Sequence, residues 1–267
     1  PITGLRRSLS ISNLVLPFKV VKSVSMAKRL IKEFRPDIAI GVGGYASAPL
    51  LWAAGRMGVP TLIQEQNGFA GLTNKILGKK AGCICVAYEG MERFFPAEKI
   101  VLSGNPIRKE IVPADENMRE EACRFYGLKP DTRHLLIVGG SLGSGTLNNA
   151  MKKWISEGCP GGEGIEVIWQ CGKYYKPSVD EFMKDRNLEA IQYSDFIKRM
   201  DLAYAAADVI ISRSGASSIS EMCAAHKAAI FVPSPNVTED HQTHNAMALV
   251  RKDAGMIVKD SEADEKL

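Results

Sequence analysis

The stretch Val209-Ile-Ile-Ser-Arg-Ser-Gly-Ala-Ser-Ser-Ile-Ser-Glu221 determines the predicted fold. Val209–Ile211 is β-branched and predicts a buried strand, Ser212–Ser218 is a small polar turn, and Ile219–Ala225 has helical spacing. A helix that begins directly after such a turn presents backbone N–H groups and partial positive charge, which suit an anion. An alternative interpretation is a capping box, in which Ser218 and the glutamate three residues later satisfy only their own helix.

The same strand–turn–helix pattern recurs along the chain and predicts two domains with parallel sheets. Pro106–Pro113 is the predicted linker, which gives domains at residues 1–110 and 111–267. The length of 267 residues suffices for two cores of ordinary size. We predict strands at residues 37–41, 60–64, 83–87, 101–102, 134–138, 166–170, 191–193, 209–211, 229–232 and 256–258.

The composition is that of an ordinary globular protein, with 45% hydrophobic and 24% charged residues. Six scattered cysteines show no metal or disulfide framework, which favours a reduced, cytoplasmic compartment. No signal peptide and no apolar run of membrane-spanning length is present. This sequence therefore predicts neither a membrane-spanning segment nor a disulfide framework.

A second candidate anion site is the turn Gly139-Gly-Ser-Leu-Gly-Ser-Gly145, which follows the strand predicted at residues 134–138. Glycines let a backbone approach a phosphate closely, and Ser141 and Ser144 add hydroxyl donors. An ordinary strand–helix connection is the alternative. Two such turns in one domain predict a site that holds both phosphates of a diphosphate.

The segment Asp240-His-Gln-Thr-His-Asn245 opens a predicted helix. Gln242 and Asn245 share a face of that helix, and their amides suit sugar hydroxyls and an acetamido group. A polar first turn in water is the alternative. His241 and His244 lack a third ligand at fitting spacing, so no metal site is predicted.

The N-terminal 35 residues carry eight basic residues against one acidic residue. From about Pro17 their apolar positions have helical spacing. A basic amphipathic helix of this kind binds an anionic membrane surface. A helix that packs on the core and exposes a basic face to water fits the pattern equally well.

Taken together, the turns resemble those of the MurG family of bacterial cell-wall synthesis. The resemblance covers nearly the whole chain and rests on six motifs in the order of the family. These are Gly41-Val-Gly-Gly-Tyr-Ala-Ser-Ala-Pro49, Glu65-Gln-Asn-Gly-Phe-Ala-Gly-Leu-Thr-Asn-Lys75, Gly104-Asn-Pro-Ile-Arg108, Gly139-Gly-Ser-Leu-Gly143, Ser212-Arg-Ser-Gly-Ala-Ser-Ser-Ile-Ser-Glu221 and Asp240-His-Gln-Thr-His-Asn-Ala246.

The resemblance implies a GT-B fold, in which two Rossmann-like, doubly wound parallel-sheet domains face each other across a cleft. It implies an inverting hexosyltransferase that moves N-acetylglucosamine from UDP-N-acetylglucosamine to the C4 hydroxyl of undecaprenyl-pyrophosphoryl-N-acetylmuramyl-pentapeptide. No cofactor or metal is expected, because backbone donors and a helix dipole would stabilise the departing diphosphate. The expected location is the cytoplasmic face of the bacterial cell membrane, with peripheral attachment and no nucleic-acid partner.

The resemblance also implies roles for individual residues. Glu221 would accept hydrogen bonds from the ribose hydroxyls, Ile197 would pack on the uracil, and Arg108 would lie near the diphosphate. Gln242 and Asn245 would recognise the N-acetylglucosamine. The further donor-binding residues would be Asn67 from the other domain, Gly140, Ser141, Ser214, Gly215, Ala216, Ser217, Ser218, Ile219 and Ser220. The acceptor side would include Gly44, Tyr45, Glu65 and Asn74.

The chain departs from the family pattern in three places. It is expected to lack the family's initial strand with its Gly-Gly-Thr-Gly-Gly-His loop, and also the last helix, which returns to the first domain. Gln64 stands where many relatives have histidine. No catalytic base is predicted, because the family's usual candidate belongs to the missing loop.

Two other functions compete with this prediction. One is another GT-B enzyme, such as a diacylglycerol glucosyltransferase or a UDP-N-acetylglucosamine epimerase. The other is a nucleotide-sugar-binding module without turnover. The segment Glu65–Lys75 and the spacing of Asp240–Asn245 favour the muramyl-pentapeptide transferase.

Overall fold

The computed structural model describes residues 16–186 and 188–267. The chain divides into two compact units between Asn105 and Pro106, five residues before the predicted boundary. Each unit contains one parallel sheet, as the strand–turn–helix pattern predicts. The part of the predicted basic stretch that precedes Leu16, with Arg6 and Arg7, lies outside the described residues.

The first unit has a four-stranded sheet in the order β1-β2-β3-β4. Its strands are β1 (Ala39–Gly41), β2 (Thr61–Glu65), β3 (Cys83–Val86) and β4 (Ile100–Leu102), and its helices are α1 (Leu16–Phe34), α2 (Gly44–Arg56) and α3 (Leu72–Gly78). The core joins Ala27 and Ile31 of α1, Leu51 of α2, and Ile63 and Ile84 of the sheet.

The second unit has a six-stranded parallel sheet in the order β10-β9-β8-β5-β6-β7. Its strands are β5 (Arg133–Val138), β6 (Ile165–Gln170), β7 (Ile191–Ser194), β8 (Val209–Ser212), β9 (Ala228–Phe231) and β10 (Met256–Ile257). Its helices are α4 (Glu116–Tyr126), α5 (Gly145–Ser156), α6 (Lys176–Met183), α7 (Met200–Ala206), α8 (Ala216–Ala224), α9 (His241–Val250) and α10 (Ala263–Lys266).

Helices cover both faces of the second sheet, and each face packs against its helices in a separate apolar cluster. One cluster contains Leu136 and Ile210 with residues of α7 and α8. The other contains Ile137 and Trp169 with residues of α5 and α6. Neighbouring residues of β5 therefore enter opposite cores, as alternation along a strand requires.

All ten predicted strands are confirmed, with ends that differ by at most two residues. Runs of apolar and β-branched residues such as Val209–Ile211 account for much of this agreement, since they identify a strand from the local sequence. A 3-10 turn over Met91–Arg93 lies between β3 and β4. Among the described residues no helix combines the length and apolarity that crossing a membrane requires.

Candidate functional site

The two candidate anion turns lie next to each other in the second unit. They follow β5 and β8, which pair directly, with Val138 opposite Ser212. These are also the strands at which the sheet order reverses, since β6 and β7 extend one way and β9 and β10 the other. Open parallel sheets bind ligands at such a reversal, beyond the carboxyl ends of the strands.

The turn that follows β5 is closely packed on one side and open on the other. A Cβ atom at Gly172 would lie 2.2 Å from Cα of Gly143, so the turns after β5 and β6 touch through glycine backbone. A Cβ atom at Gly140 would meet nothing within 4 Å. Gly140 and the exposed Ser141 and Leu142 therefore form the accessible part of this turn.

Ser144 has a structural role that differs from the predicted one. It is the N-cap of α5, it is 4% exposed, and its Oγ accepts a hydrogen bond from the backbone N–H of Leu147 at 3.2 Å. This bond uses a lone pair of Oγ and not its proton, so the prediction that Ser144 adds a hydroxyl donor to an anion site stays a prediction. The observed role of the hydroxyl is to cap its own helix.

The turn that follows β8 ends in a helix whose N-terminus has no side-chain cap. Gly215 is the N-cap of α8, and the helix begins at Ala216. Ser218 thus lies inside the first helical turn rather than at the cap. Glu221 contacts Tyr204 and Arg108 rather than the backbone at Ser218. The capping-box interpretation of the sequence is wrong, and an anion-binding helix N-terminus remains available to this turn.

Glu221 is a buried carboxylate, 9% exposed, with a different partner at each oxygen. The hydroxyl of Tyr204 on α7 donates to Oε2 at 3.1 Å. Nε of Arg108 lies 3.7 Å from Oε1, and the side chain of Arg108 is 53% exposed. Burial and the neighbouring carboxylate raise the pKa of Tyr204, so its hydroxyl stays protonated and remains a donor.

Arg213 connects segments that meet at the two turns, a role that the sequence did not indicate. Its Nη1 donates to the backbone oxygens of Val232 and Pro233 at 2.9 and 3.2 Å, and also to Asp260. Its Nη2 donates to Oγ1 of Thr146 at 3.3 Å, at the start of α5. One guanidinium thus fixes the ends of β8 and β9 relative to α5.

The predicted sugar-recognising amides lie at the start of α9, close to the second turn. Nδ2 of Asn245 donates to the backbone oxygen of Ser214 at 3.4 Å, and Asn245 is fully buried. Oε1 of Gln242 accepts from the backbone N–H of Ser234 at 2.9 Å. Asn245 therefore fixes the turn, and Gln242 is the more accessible of the two amides.

The remaining predicted donor residues fall into buried and accessible groups. Ile197 and Ile219 are 3% and 2% exposed and belong to the core of the second unit. The uracil contact of Ile197 stays a prediction, and the neighbouring side chain of Phe196 is 50% exposed. Ser214 is fully buried, whereas Gly215, Ala216, Ser217, Ser218 and Ser220 are at least partly accessible.

In the first unit, Glu65 at the end of β2 anchors the loop that follows it. Its Oε1 accepts from the backbone N–H and from Nδ2 of Asn67, at 3.1 and 3.3 Å. Its Oε2 accepts from the backbone N–H of Gly71 at 3.0 Å and from Nδ2 of Asn74 at 2.9 Å. The predicted acceptor-side residues Glu65 and Asn74 are thus one buried cluster, and Asn67 belongs to it.

The other predicted acceptor-side residues, Gly44 and Tyr45, are exposed at the start of α2. A Cβ atom at the preceding Gly43 would lie 3.6 Å from Nδ2 of Asn74. This glycine turn therefore adjoins the Glu65 cluster. Within the described parts of the chain, no group of three histidine, cysteine or carboxylate side chains is arranged to hold a metal ion.

Two family models match the chain. The glycosyltransferase family 28 N-terminal domain matches residues 1–86, and the family 28 C-terminal domain matches residues 134–267. Each model falls within one of the two compact units.

Individual relatives are similar over all or nearly all of the chain. A UDP-N-acetylglucosamine–N-acetylmuramyl-(pentapeptide) pyrophosphoryl-undecaprenol N-acetylglucosamine transferase from Parabacteroides distasonis is 50% identical over 267 residues, which is all of this chain and 72% of the relative. A transferase of the same name from Cytophaga hutchinsonii is 53% identical over 266 residues, with 100% and 70% covered. The crystal structure of MurG from Acinetobacter baumannii is similar at a TM-score of 0.74 and 33% identity, with 97% and 70% covered.

Proposed function

This chain belongs to the MurG family within glycosyltransferase family 28, and we propose that its second unit binds the donor while its first unit serves the acceptor. The chain is a hexosyltransferase with the GT-B fold. It transfers N-acetylglucosamine from UDP-N-acetylglucosamine to the lipid-linked N-acetylmuramyl-pentapeptide, the step from lipid I to lipid II in peptidoglycan synthesis.

The observation that carries the donor assignment is the pair of turns where the second sheet reverses its order. One turn offers Gly140 and Ser141 on its open side, and the other leads into a helix without a side-chain cap. Backbone N–H groups from both turns suit the two phosphates of UDP. Arg108 supplies a cation near Glu221, in the same unit.

The chemistry follows from where charge develops. When the C4 hydroxyl of the acceptor attacks the anomeric carbon, the bond to the diphosphate breaks and negative charge grows on the departing UDP. Fixed N–H donors and a helix N-terminus stabilise that charge without having to reorganise. Glu221 would hold the ribose through its hydroxyls, because a carboxylate accepts strong hydrogen bonds from two neighbouring hydroxyls. The absence of a metal requirement remains a prediction.

Calorimetric titration with UDP-N-acetylglucosamine and UDP-glucose tests the donor assignment. We expect the N-acetyl sugar to bind more tightly, and Glu221→Ala to weaken its binding about tenfold or more, because hydrogen bonds to a charged group are lost. Glu157→Ala is the matched control, since this exposed glutamate lies at the opposite end of α5, where it forms a surface ion pair with Lys153. A preference for UDP-glucose would instead favour another GT-B enzyme, such as a diacylglycerol glucosyltransferase.

For the first unit we propose peripheral attachment to the cytoplasmic face of the cell membrane through α1. This helix carries five basic residues and one acidic residue, and Phe18, Val21 and Phe34 on it are exposed. Beside it lies an apolar cavity of about 580 Å³ whose lining includes Trp52 and Ile76. Apolar side chains that insert into the headgroup region and cations above anionic lipids act together in such helices.

Sedimentation with phosphatidylglycerol vesicles tests this attachment. We expect Lys22→Glu combined with Lys32→Glu to weaken binding by at least tenfold, since each basic residue contributes about 1 kcal/mol near an anionic surface. Leu102→Ser, which removes an exposed apolar side chain from the edge strand β4, is the control and should bind normally. Equal binding by all three proteins would exclude α1 as the attachment site.

A further inference from the structure

Tyr204 is a buried residue of α7 that no motif marks, and it contacts the predicted ribose-binding carboxylate. Its side chain belongs to the core of the second unit and is 3% exposed. Its hydroxyl donates to Oε2 of Glu221 at 3.1 Å. Because burial keeps this phenol protonated, its hydroxyl is always the donor in the hydrogen bond to the carboxylate.

The two oxygens of Glu221 are therefore held differently. Oε2 bonds to a rigid, buried hydroxyl, whereas Oε1 faces an exposed guanidinium whose Nε lies 3.7 Å away, beyond hydrogen-bond distance. The aromatic ring fixes the direction of the carboxylate. The long side chain of Arg108 is 53% exposed and has space to move.

We propose that Tyr204 is a positioning residue that orients Glu221 for the vicinal hydroxyls of a ribose, and thereby sets the preference for ribonucleotides over 2′-deoxyribonucleotides. This inference rests on the proposed donor site. With one lone pair of Oε2 occupied by the phenol, the remaining lone pairs are presented in one fixed plane. Two hydroxyls on adjacent carbons can both donate to lone pairs in that plane. The single remaining hydroxyl of a 2′-deoxyribose can make only one of these two hydrogen bonds.

Without the phenol, Glu221 has a competing partner. Arginine and carboxylate side chains form bidentate pairs when both are free to align. A carboxylate released from Tyr204 is expected to turn towards Arg108 and to form such a pair. The ribose hydroxyls would then have to displace the guanidinium, and the 2′-hydroxyl would contribute less to binding.

The test is calorimetric titration of UDP and 2′-deoxy-UDP into the chain and into Tyr204→Phe. The two ligands share the base and both phosphates, so the ratio of their Kd values isolates the 2′-hydroxyl. We expect the unaltered chain to prefer UDP about tenfold, because a hydrogen bond to a charged group is lost with the deoxy ligand. In Tyr204→Phe we expect this preference to fall to about threefold or less.

Tyr126→Phe is the matched control. Tyr126 is a partly buried tyrosine of the same unit, and its hydroxyl donates to the backbone oxygen of Arg199 at 2.9 Å. The Tyr126→Phe variant also loses one phenolic hydrogen bond, yet we expect it to retain the preference for UDP. Arg108→Ala added to Tyr204→Phe removes the competing cation and should restore part of the preference.

Each alternative outcome has a definite meaning. An unchanged or larger preference in Tyr204→Phe would overturn the positioning role, because Glu221 would then orient itself. A Tyr204→Phe chain that no longer unfolds cooperatively would show that the hydroxyl is structural and would also overturn it. Failure of the unaltered chain to bind UDP would instead overturn the donor assignment.

Discussion

Two buried glutamates, one in each unit, occupy similar places in the fold but have different surroundings. Glu65 ends β2 and Glu221 lies in the helix that follows β8, so both adjoin the carboxyl edge of a parallel sheet. They are 4% and 9% exposed. Four hydrogen bonds reach Glu65, from Asn67, Gly71 and Asn74. One phenolic hydroxyl reaches Glu221, and a cation lies near its other oxygen.

The difference shows that residue type and place in the fold do not decide what a buried carboxylate does. Donors from its own loop satisfy Glu65, so a ligand would have to break those bonds to reach it. Glu221 retains acceptor capacity at Oε1. We therefore expect Glu65 to act on the acceptor side through the shape of the loop, and Glu221 to bind its ligand directly.

The largest expected effect is the loss of stability in Glu65→Ala. Removal of this side chain takes away the acceptor of four hydrogen bonds, two from backbone N–H groups and two from amides, and Nδ2 of Asn74 keeps its bond to the backbone oxygen of Gln64. We expect the free energy of unfolding of the first unit to fall by about 3 kcal/mol, because each buried donor left unpaired is costly. Urea unfolding monitored by circular dichroism measures this change.

Glu221→Gln provides the contrast for the second unit. The amide keeps the shape of the side chain, and its oxygen can still accept from Tyr204, so we expect stability to change by less than about 1 kcal/mol. Equal losses in Glu65→Ala and Glu221→Gln would show that both carboxylates are structural. The comparison between them would then fail.

The sequence was sufficient to predict the elements of both sheets. Val209–Ile211 is a β-branched run, and Ile191–Tyr193 places Gln192 between two residues that favour strands. Local patterns of this kind predict a strand without reference to the rest of the chain. The two anion turns were predicted for the same reason. Their adjacency was not, because it depends on β5 pairing with β8, and strand order is a property of the whole sheet.

Contacts between distant segments account for what the sequence did not predict. Tyr204 and Glu221 are seventeen residues apart, and Arg213 reaches Thr146 across sixty-seven residues. No periodicity or spacing encodes such pairs. The capping box at Ser218 failed for a related reason: the motif fits the sequence locally and predicts a helix from Ile219, but the helix begins three residues earlier, at Ala216.

The N-termini of α5 and α8, which lie beside the two turns, differ in whether a side chain caps them. α5 has its own cap, because Oγ of Ser144 accepts from the N–H of Leu147. α8 begins after Gly215 and has no side-chain cap. A side chain thus caps the first N-terminus, whereas Gly215 offers no side chain to cap the second.

Ser144→Ala and Ser218→Ala should therefore have opposite effects, and these are the smallest changes expected. Ser144→Ala removes a cap and should lower the free energy of unfolding by about 1 kcal/mol, with little change in the affinity for UDP. Ser218→Ala should change stability by less than about 0.5 kcal/mol but weaken UDP binding several-fold, because a donor beside the diphosphate is lost. Thermal unfolding and titration of the same two variants measure both quantities. If Ser218→Ala lost stability and kept its affinity for UDP, α8 would be capped by its serine after all, and the contrast between a satisfied and an open helix terminus would not explain where the diphosphate binds.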